Sequence, residues 1–253
     1  MRFKAFWFYI ELWPSVTFSL AFPLLVGLGV WQLDRADQKR ELWDTRLQRE
    51  NLAPLDLNRP FAKRADPEYT AWRKIIAKGR YDPEHQFLLD NQTVDGRAGY
   101  FVYTPFRLEP ADIWVMVNRG WVPSGRSRQM IPDLTVTSES IVVHGVAKAP
   151  PRPAILLPGA EPEKLASGTW RVQFVDLVHI RNELARELLP YVVRLEANAQ
   201  FGFVRKWSTP RIGEQRHIAY AVQWFALAIA LAILYFRSDF IVRQARAGRG
   251  PCP

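Results

Sequence analysis

Cysteine is nearly absent: only Cys252 carries a thiol among 253 residues. A single thiol excludes an intramolecular disulfide and leaves no thiolate metal cage in the body of the chain. Histidine is scarce as well. His85, His144, His179 and His217 stand far apart with no i, i+4 pair, so a compact zinc or copper centre is not expected. The short signatures of common catalysts are missing: there is no Gly-rich phosphate loop, no G-x-S-x-G elbow and no H-E-x-x-H. Ser124 has no identifiable base beside it, and Glu109 and Asp112 read as solvated loop carboxylates. The expectation is a protein that is not an enzyme. Net charge is +9, yet Lys and Arg are scattered without a dense basic run, so no nucleic-acid partner is expected.

What the chain does have is two long uncharged runs. Between Arg216 and Arg237 lie twenty residues without Asp, Glu, Lys or Arg, about enough to cross a ~30 Å hydrocarbon layer at ~1.5 Å per residue. Leu12 to Leu33 is the second run. It exceeds the apolar core of a signal peptide and is followed by no convincing cleavage site. Pro14 and Pro23 would distort its helix, which membrane helices tolerate. Gly27 and Gly29 permit close approach of a neighbour, and Ala226, Ala230, Ala228 and Ala232 offer a small-residue face on the other run. The two spans are expected to pack as an antiparallel pair. Arg2 and Lys4 before the first and Arg237, Arg243, Arg246 and Arg249 in the tail place both termini on the same, inner side. The long middle segment then lies outside.

Asp34 to Asn51 is charged, rich in helix formers and free of Gly and Pro, so it predicts a helix leaving the membrane, packed through Leu33, Leu42, Trp43 and Leu47. Short strand-like runs follow: Arg73–Tyr81, Gln86–Asp90, Gly99–Pro105, Ile113–Val117, Ser140–Val146, Thr169–Val175 and Tyr191–Leu195. Asp95-Gly96-Arg97 is turn-like, and Asp176–Leu189 predicts a helix capped by Asp176. Such spacing predicts a mainly antiparallel sheet curled into a small barrel. The fold class is therefore membrane α+β: two transmembrane helices with a barrel-like β domain inserted between them. The boundaries are 1–11 for the inner N-terminus, 12–33 for the first span and 34–67 for the extension and connector. The β-rich domain is 68–215, the second span 216–237 and the inner tail 238–253.

Two constellations stand out. His217, Tyr220, Ala221 and Trp224 fall at i, i+3, i+4 and i+7 on one helix face, with Gln223 beside them and Trp31 and Gln32 at the same level on the first span. Trp and Tyr gather at membrane interfaces as plain anchors, so the stripe reads either as an anchor or as a ligand site. Gln223 favours a site, because an amide inside the span needs a partner. The other constellation is Asn118-Arg119-Gly120-Trp121 after the most apolar strand. Gly120 and Asn118 permit a sharp turn or bulge, from whose end Arg119 and Trp121 would project. It reads equally as a turn stapled by Trp121 on Arg119 or as a contact surface for a partner.

Three stretches together resemble the Surfeit locus family: GLGVWQLDR from Gly27 to Arg35, VNRGWVP from Val117 to Pro123, and HIAYAVQWF from His217 to Phe225. The resemblance covers nearly the whole chain. It implies an assembly factor for haem-copper terminal oxidases that helps haem a, a transient cargo, reach the oxidase core subunit. It also implies His217 as the axial iron ligand, with Tyr220, Gln223, Trp224 and Trp31 around the macrocycle. A neutral imidazole suits iron. The partners implied are the oxidase core subunit, the haem a synthesis machinery and membrane lipid, and self-association is compatible with this reading. With only eleven residues before the first span and no transit-peptide character, the expected location is a bacterial inner membrane with the β domain in the periplasm. The competing reading is a structural membrane chaperone that stabilises oxidase intermediates without binding haem.

Overall fold

A computed structural model describes residues 12–60, 64–125, 130–151, 161–166, 168–207 and 212–247. Its contacts divide the chain into two units: Met1–Asp44 with Thr209–Pro253, and Thr45–Ser208.

The first unit is built on two helices, α1 (Leu12–Asn51) and α4 (Ile212–Ala247). Both contain stretches long and apolar enough to cross a membrane. They pair antiparallel. Ser15 and Tyr235 share a hydrogen bond of 2.9 Å at one end, the Phe18 and Tyr235 rings stack at 4.3 Å, and Arg40 meets Glu214 at 2.6 Å at the other. Gly29 faces the Phe225 ring, which would lie 2.6 Å from a β-carbon there. Gly27 has no such neighbour. The buried small residues of α4 are Ala221 and Ala228, whereas Ala226 and Ala230 are exposed. Around this seam the large side chains are exposed, among them Leu20, Leu24, Ile229 and Leu234, as expected of lipid-facing rather than core helices.

The helix α1 continues through Pro23 and past Leu33 to Asn51. Leu33, Leu42 and Leu47 do not pack this extension: all three are exposed. The buried residues are Ala36 and Arg46. Arg46 lays its guanidinium 4.3 Å from the Trp72 ring centre and pairs with Glu50 at 2.7 Å. A charged side chain with a long apolar stem does the packing that the leucines were expected to do.

The second unit carries β1 (Leu55–Asp56), α2 (Pro67–Thr70), β2 (Lys74–Tyr81), β3 (Gln86–Val94), β4 (Arg97–Leu108), β5 (Ile113–Pro123), β6 (Ile141–Lys148), β7 (Glu163–Ala166), β8 (Thr169–Val172), α3 (Leu177–Leu184) and β9 (Leu188–Leu195). The strand order is β1-β2-β6-β9-β5-β4-β3-β8-β7, and β2 also pairs with β4. That last pairing closes β2, β6, β9, β5 and β4 into a ring, the small barrel expected. Most pairs are antiparallel, but β1–β2, β3–β8 and β5–β9 are parallel.

The period-two pattern decides what fills the ring. Ile75, Ala77 and Tyr81 of β2, Val143 and Ala147 of β6 and Tyr191, Val193 and Leu195 of β9 point inward with Phe106, Val115 and Val117. A second cluster, including Phe87, Tyr103, Met116 and Val192, packs outside the ring with Ile180 of α3.

The β3–β4 hairpin turns on Asp95 and Gly96, both at positive φ, which suits a two-residue turn between twisted strands. Asp176 caps α3 by accepting from Val178 N at 2.9 Å and His179 N at 3.3 Å. The helix stops at Leu184 rather than Leu189 because Ala185 adopts the left-handed conformation. Asp176→Ala is expected to cost about 1 kcal/mol, seen as a fall of roughly 2–4 °C in the unfolding temperature.

Candidate functional site

In the helical unit, His217 lies one turn into α4, half-buried, and its Nδ1 is 2.7 Å from Gln32 Oε1 of α1. With the amide oxygen as acceptor, Nδ1–H donates and the lone pair sits on Nε2. No hydrogen bond engages Nε2 among the described residues. An imidazole whose one nitrogen is held by a neighbouring oxygen, with the other free, is the usual arrangement of a metal-binding histidine. His217 therefore presents one open nitrogen, the donor a metal-binding histidine needs.

The other stripe residues differ in burial. Ala221, which shares the face of His217, is buried in the seam with α1. Trp224 is half-buried, Tyr220 is 45% exposed and Gln223 is exposed. Trp31, 48% exposed, carries the Arg35 guanidinium 5.6 Å from its ring centre. The expectation that Gln223 finds a partner inside the span is not met among the described residues. The amide that does so is Gln32. The signal was available: Gln32 is the polar residue at the end of the first apolar run, and the cost of an unpaired amide applies to it as to Gln223.

In the barrel unit, Asn118, Arg119, Gly120 and Trp121 lie within β5, which runs on to Pro123. Asn118 pairs with Tyr103 and Gly120 with Val102, so Arg119 is an extra residue in the ladder. This is the bulge, and Gly120 takes φ 116° there. The displaced backbone is taken up elsewhere. Phe203 N donates to Arg119 O, and Trp121 pairs with Val204.

The projection expected of Arg119 and Trp121 is corrected: Arg119 is 1% exposed and Trp121 5%. Arg119 Nε donates to Phe201 O at 2.8 Å, Nη1 to Leu134 O at 2.9 Å and Nη2 to Thr135 O at 2.9 Å. Its guanidinium lies 4.7 Å from the Phe203 ring centre. Burial pushes its pKa down to about 10, still well above neutrality, so the group remains a cation. Trp121 Nε1 donates to Gln92 O at 3.0 Å, and its ring covers Gly99. Asn118 Oδ1 accepts from Gly120 N at 3.0 Å. The side chains tie distant segments to β5. Sequence gave no warning, because all three carbonyl acceptors of Arg119 come from irregular segments far along the chain.

The SURF1 family model matches residues 19–229. A SURF1-like protein of Monosiga brevicollis is 28% identical over 88% of this chain and 84% of its own length. The Surfeit locus protein 1 of Arabidopsis thaliana is 22% identical over 89% of this chain and 77% of its own. A SURF1-like protein of Rickettsia felis is 25% identical over 85% and 92% respectively. Because the family match runs from the first apolar helix through the barrel to beyond Trp224, with Gln32, the β5 bulge and His217 inside it, the chain belongs to the SURF1 family.

Proposed function

We propose that this chain is a membrane-anchored, non-enzymatic assembly factor for a haem-copper terminal oxidase, one that holds haem a through His217 Nε2 and passes it to the oxidase core subunit. The observation that carries the reading is the His217–Gln32 hydrogen bond. It orients the imidazole and keeps the lone pair on the nitrogen that faces away from α1's amide. One protein ligand suits a carrier, since a second strong bond would slow release. Trp31, next to Gln32 in sequence, and Trp224, two turns along α4 on the face of His217, would supply apolar surface to the cargo, and the exposed Tyr220 and Gln223 would meet its polar substituents. As cargo, haem a supplies the redox-active iron of the finished oxidase.

The location that fits this reading is a bacterial inner membrane. The basic residues outside the two apolar runs put both termini in the cytoplasm, and the barrel then lies in the periplasm. Partners follow from the reading: the oxidase core subunit, and the machinery that makes haem a.

The test is an optical spectrum of the full chain, purified in detergent from cells producing haem a, beside His217→Ala and Gln32→Leu. A Soret band is expected in the parent and not in His217→Ala, with equal far-UV circular dichroism. Gln32→Leu is expected to bind about 10- to 100-fold more weakly, as for other partners of metal-bound histidines. Equal haem in His217→Ala would remove His217 as ligand. A parent that restores oxidase assembly without ever binding haem would replace the carrier with a scaffold.

A further inference from the structure

The barrel unit contains a cavity of about 560 Å³ on the outer face of the ring, between β3, β4, β5 and β9 and the segment that follows β9. That volume is in the range of small-molecule sites. Strand register builds its polar wall. Arg194 of β9 lies opposite Asn118 of β5 and Val146 of β6, and Lys148 lies opposite Val192. With side chains alternating along each strand, Lys148, Arg194 and Asn118 share the outer face. Phe101 and Trp207, with ring centres 5.7 Å apart, form an apolar wall.

Three cations line this space, and among the described residues one of them has a carboxylate partner. Lys206 pairs with Asp95 at 2.6 Å. Lys148 and Arg194 make no ion pair among the described residues, and the undescribed residues between 61 and 211 include no Asp or Glu. The carboxylate whose field reaches both is Glu50, and it is already bonded to Arg46. Lys148 lies 4.3 Å from the Trp72 ring centre and Arg194 5.0 Å from that of Trp207. These rings orient the two cations without cancelling their charge. Burial, then repulsion from Arg194, pushes the Lys148 pKa down to about 8. Two half-buried like charges at one cavity are costly unless an anion joins them.

We infer that this cavity binds a small organic anion, its carboxylate or phosphate held between Lys148 and Arg194 and its apolar body seated against Phe101 and Trp207. Asn118 of the family's central signature then forms part of a ligand site, through the face of β5 opposite the ring interior. The inference is independent of haem at His217.

The experiment is isothermal titration calorimetry of the full chain in detergent with three probes: isophthalate, phenyl phosphate and inorganic phosphate. One organic probe is expected to saturate at one per chain and to bind at least about tenfold more tightly than inorganic phosphate. Lys148→Gln and Arg194→Gln are each expected to weaken it about tenfold or more, as for loss of one charge-assisted hydrogen bond. Arg194→Lys keeps the charge and is expected to retain binding within a few-fold, which separates charge from packing should Arg194→Gln unfold. The better of the two organic probes identifies the head group. No saturable binding of either organic probe to the parent would overturn the inference. So would an affinity unchanged in Lys148→Gln, or inorganic phosphate binding as tightly as the organic probes.

Discussion

Arg119→Met is expected to destabilise the barrel unit by about 3–5 kcal/mol. Methionine fills much of the same volume but donates nothing, so the carbonyls of Leu134, Thr135 and Phe201 lose their donors. The carbonyl of the buried Leu134 costs roughly 1–3 kcal/mol once orphaned, and those of Thr135 and Phe201, at exposed residues, add less. Part of that loss is offset, because Arg119 is itself a buried cation without a bonded carboxylate, held below its ordinary pKa by burial. The net effect should lower the unfolding temperature by roughly 6–20 °C, at about 2–4 °C per kcal/mol, measured by near-ultraviolet circular dichroism of the purified chain. Arg119→Lys should fall between, since an ammonium cannot reproduce the three-way fork. A loss below about 1 kcal/mol in the methionine variant would mean that water reaches the carbonyls. In cells, oxidase assembly by Arg119 variants should track the amount of folded protein. A direct partner contact would instead lose assembly at full protein level.

Gly79→Val is expected to open the ring. Gly79 pairs with Leu108 where β2 meets β4, the contact that closes the barrel. A β-carbon at Gly79 would lie 1.9 Å from Arg107 O and 2.8 Å from the Phe106 ring. A side-chain end could swing aside, but a backbone oxygen in a ladder cannot move without breaking its pairing. The cost should exceed about 3 kcal/mol, in the range of severe core overpacking. Hydrogen exchange gives the distinctive readout. Amides of β2 and the end of β4 should lose protection together, while α3, which packs on the other cluster, should keep its own. Unchanged protection in β2 would show that the closure is looser than the close approach of Arg107 suggests. Gly79→Ala should act in the same direction, less strongly.

Local chemistry made much of this fold readable in advance. The Asp95-Gly96 turn, the Asp176 cap and the alternation in β2 and β6 each need only neighbours in sequence, and each appears near where residue types placed it. The two apolar helices were readable because length carries the information, whereas of the small residues expected at their seam Gly29 and Ala228 are there and Gly27, Ala226 and Ala230 are not. The short β1 and β7 were missed, since two residues of β1 and the polar Glu163-Lys164 of β7 leave no periodic signal. The parallel pairings β3–β8 and β5–β9 join segments far apart, and no local rule anticipates them. In the candidate site, His217 stood out in a polar, ring-bearing stripe that residue types alone left open between anchor and ligand, and its partner Gln32 depends on the helix register. Arg119 shows the sharper limit. A charge after an apolar strand signals an exit from the core, and only the folded positions of Leu134, Thr135 and Phe201 reverse that meaning.

The place of β9 in the ring has a consequence for biosynthesis. It lies between β5 and β6, both made long before it. Until Leu188–Leu195 leaves the ribosome, the nascent domain is an unclosed curl with two unpaired strand edges, which invite wrong pairing. The segment from Leu195 to Ile212 then takes only on the order of one to three seconds to synthesise, at ~5–20 residues per second. Barrel closure and the arrival of the second apolar helix therefore fall almost together, so a chain stalled shortly before β9 would lack both at once.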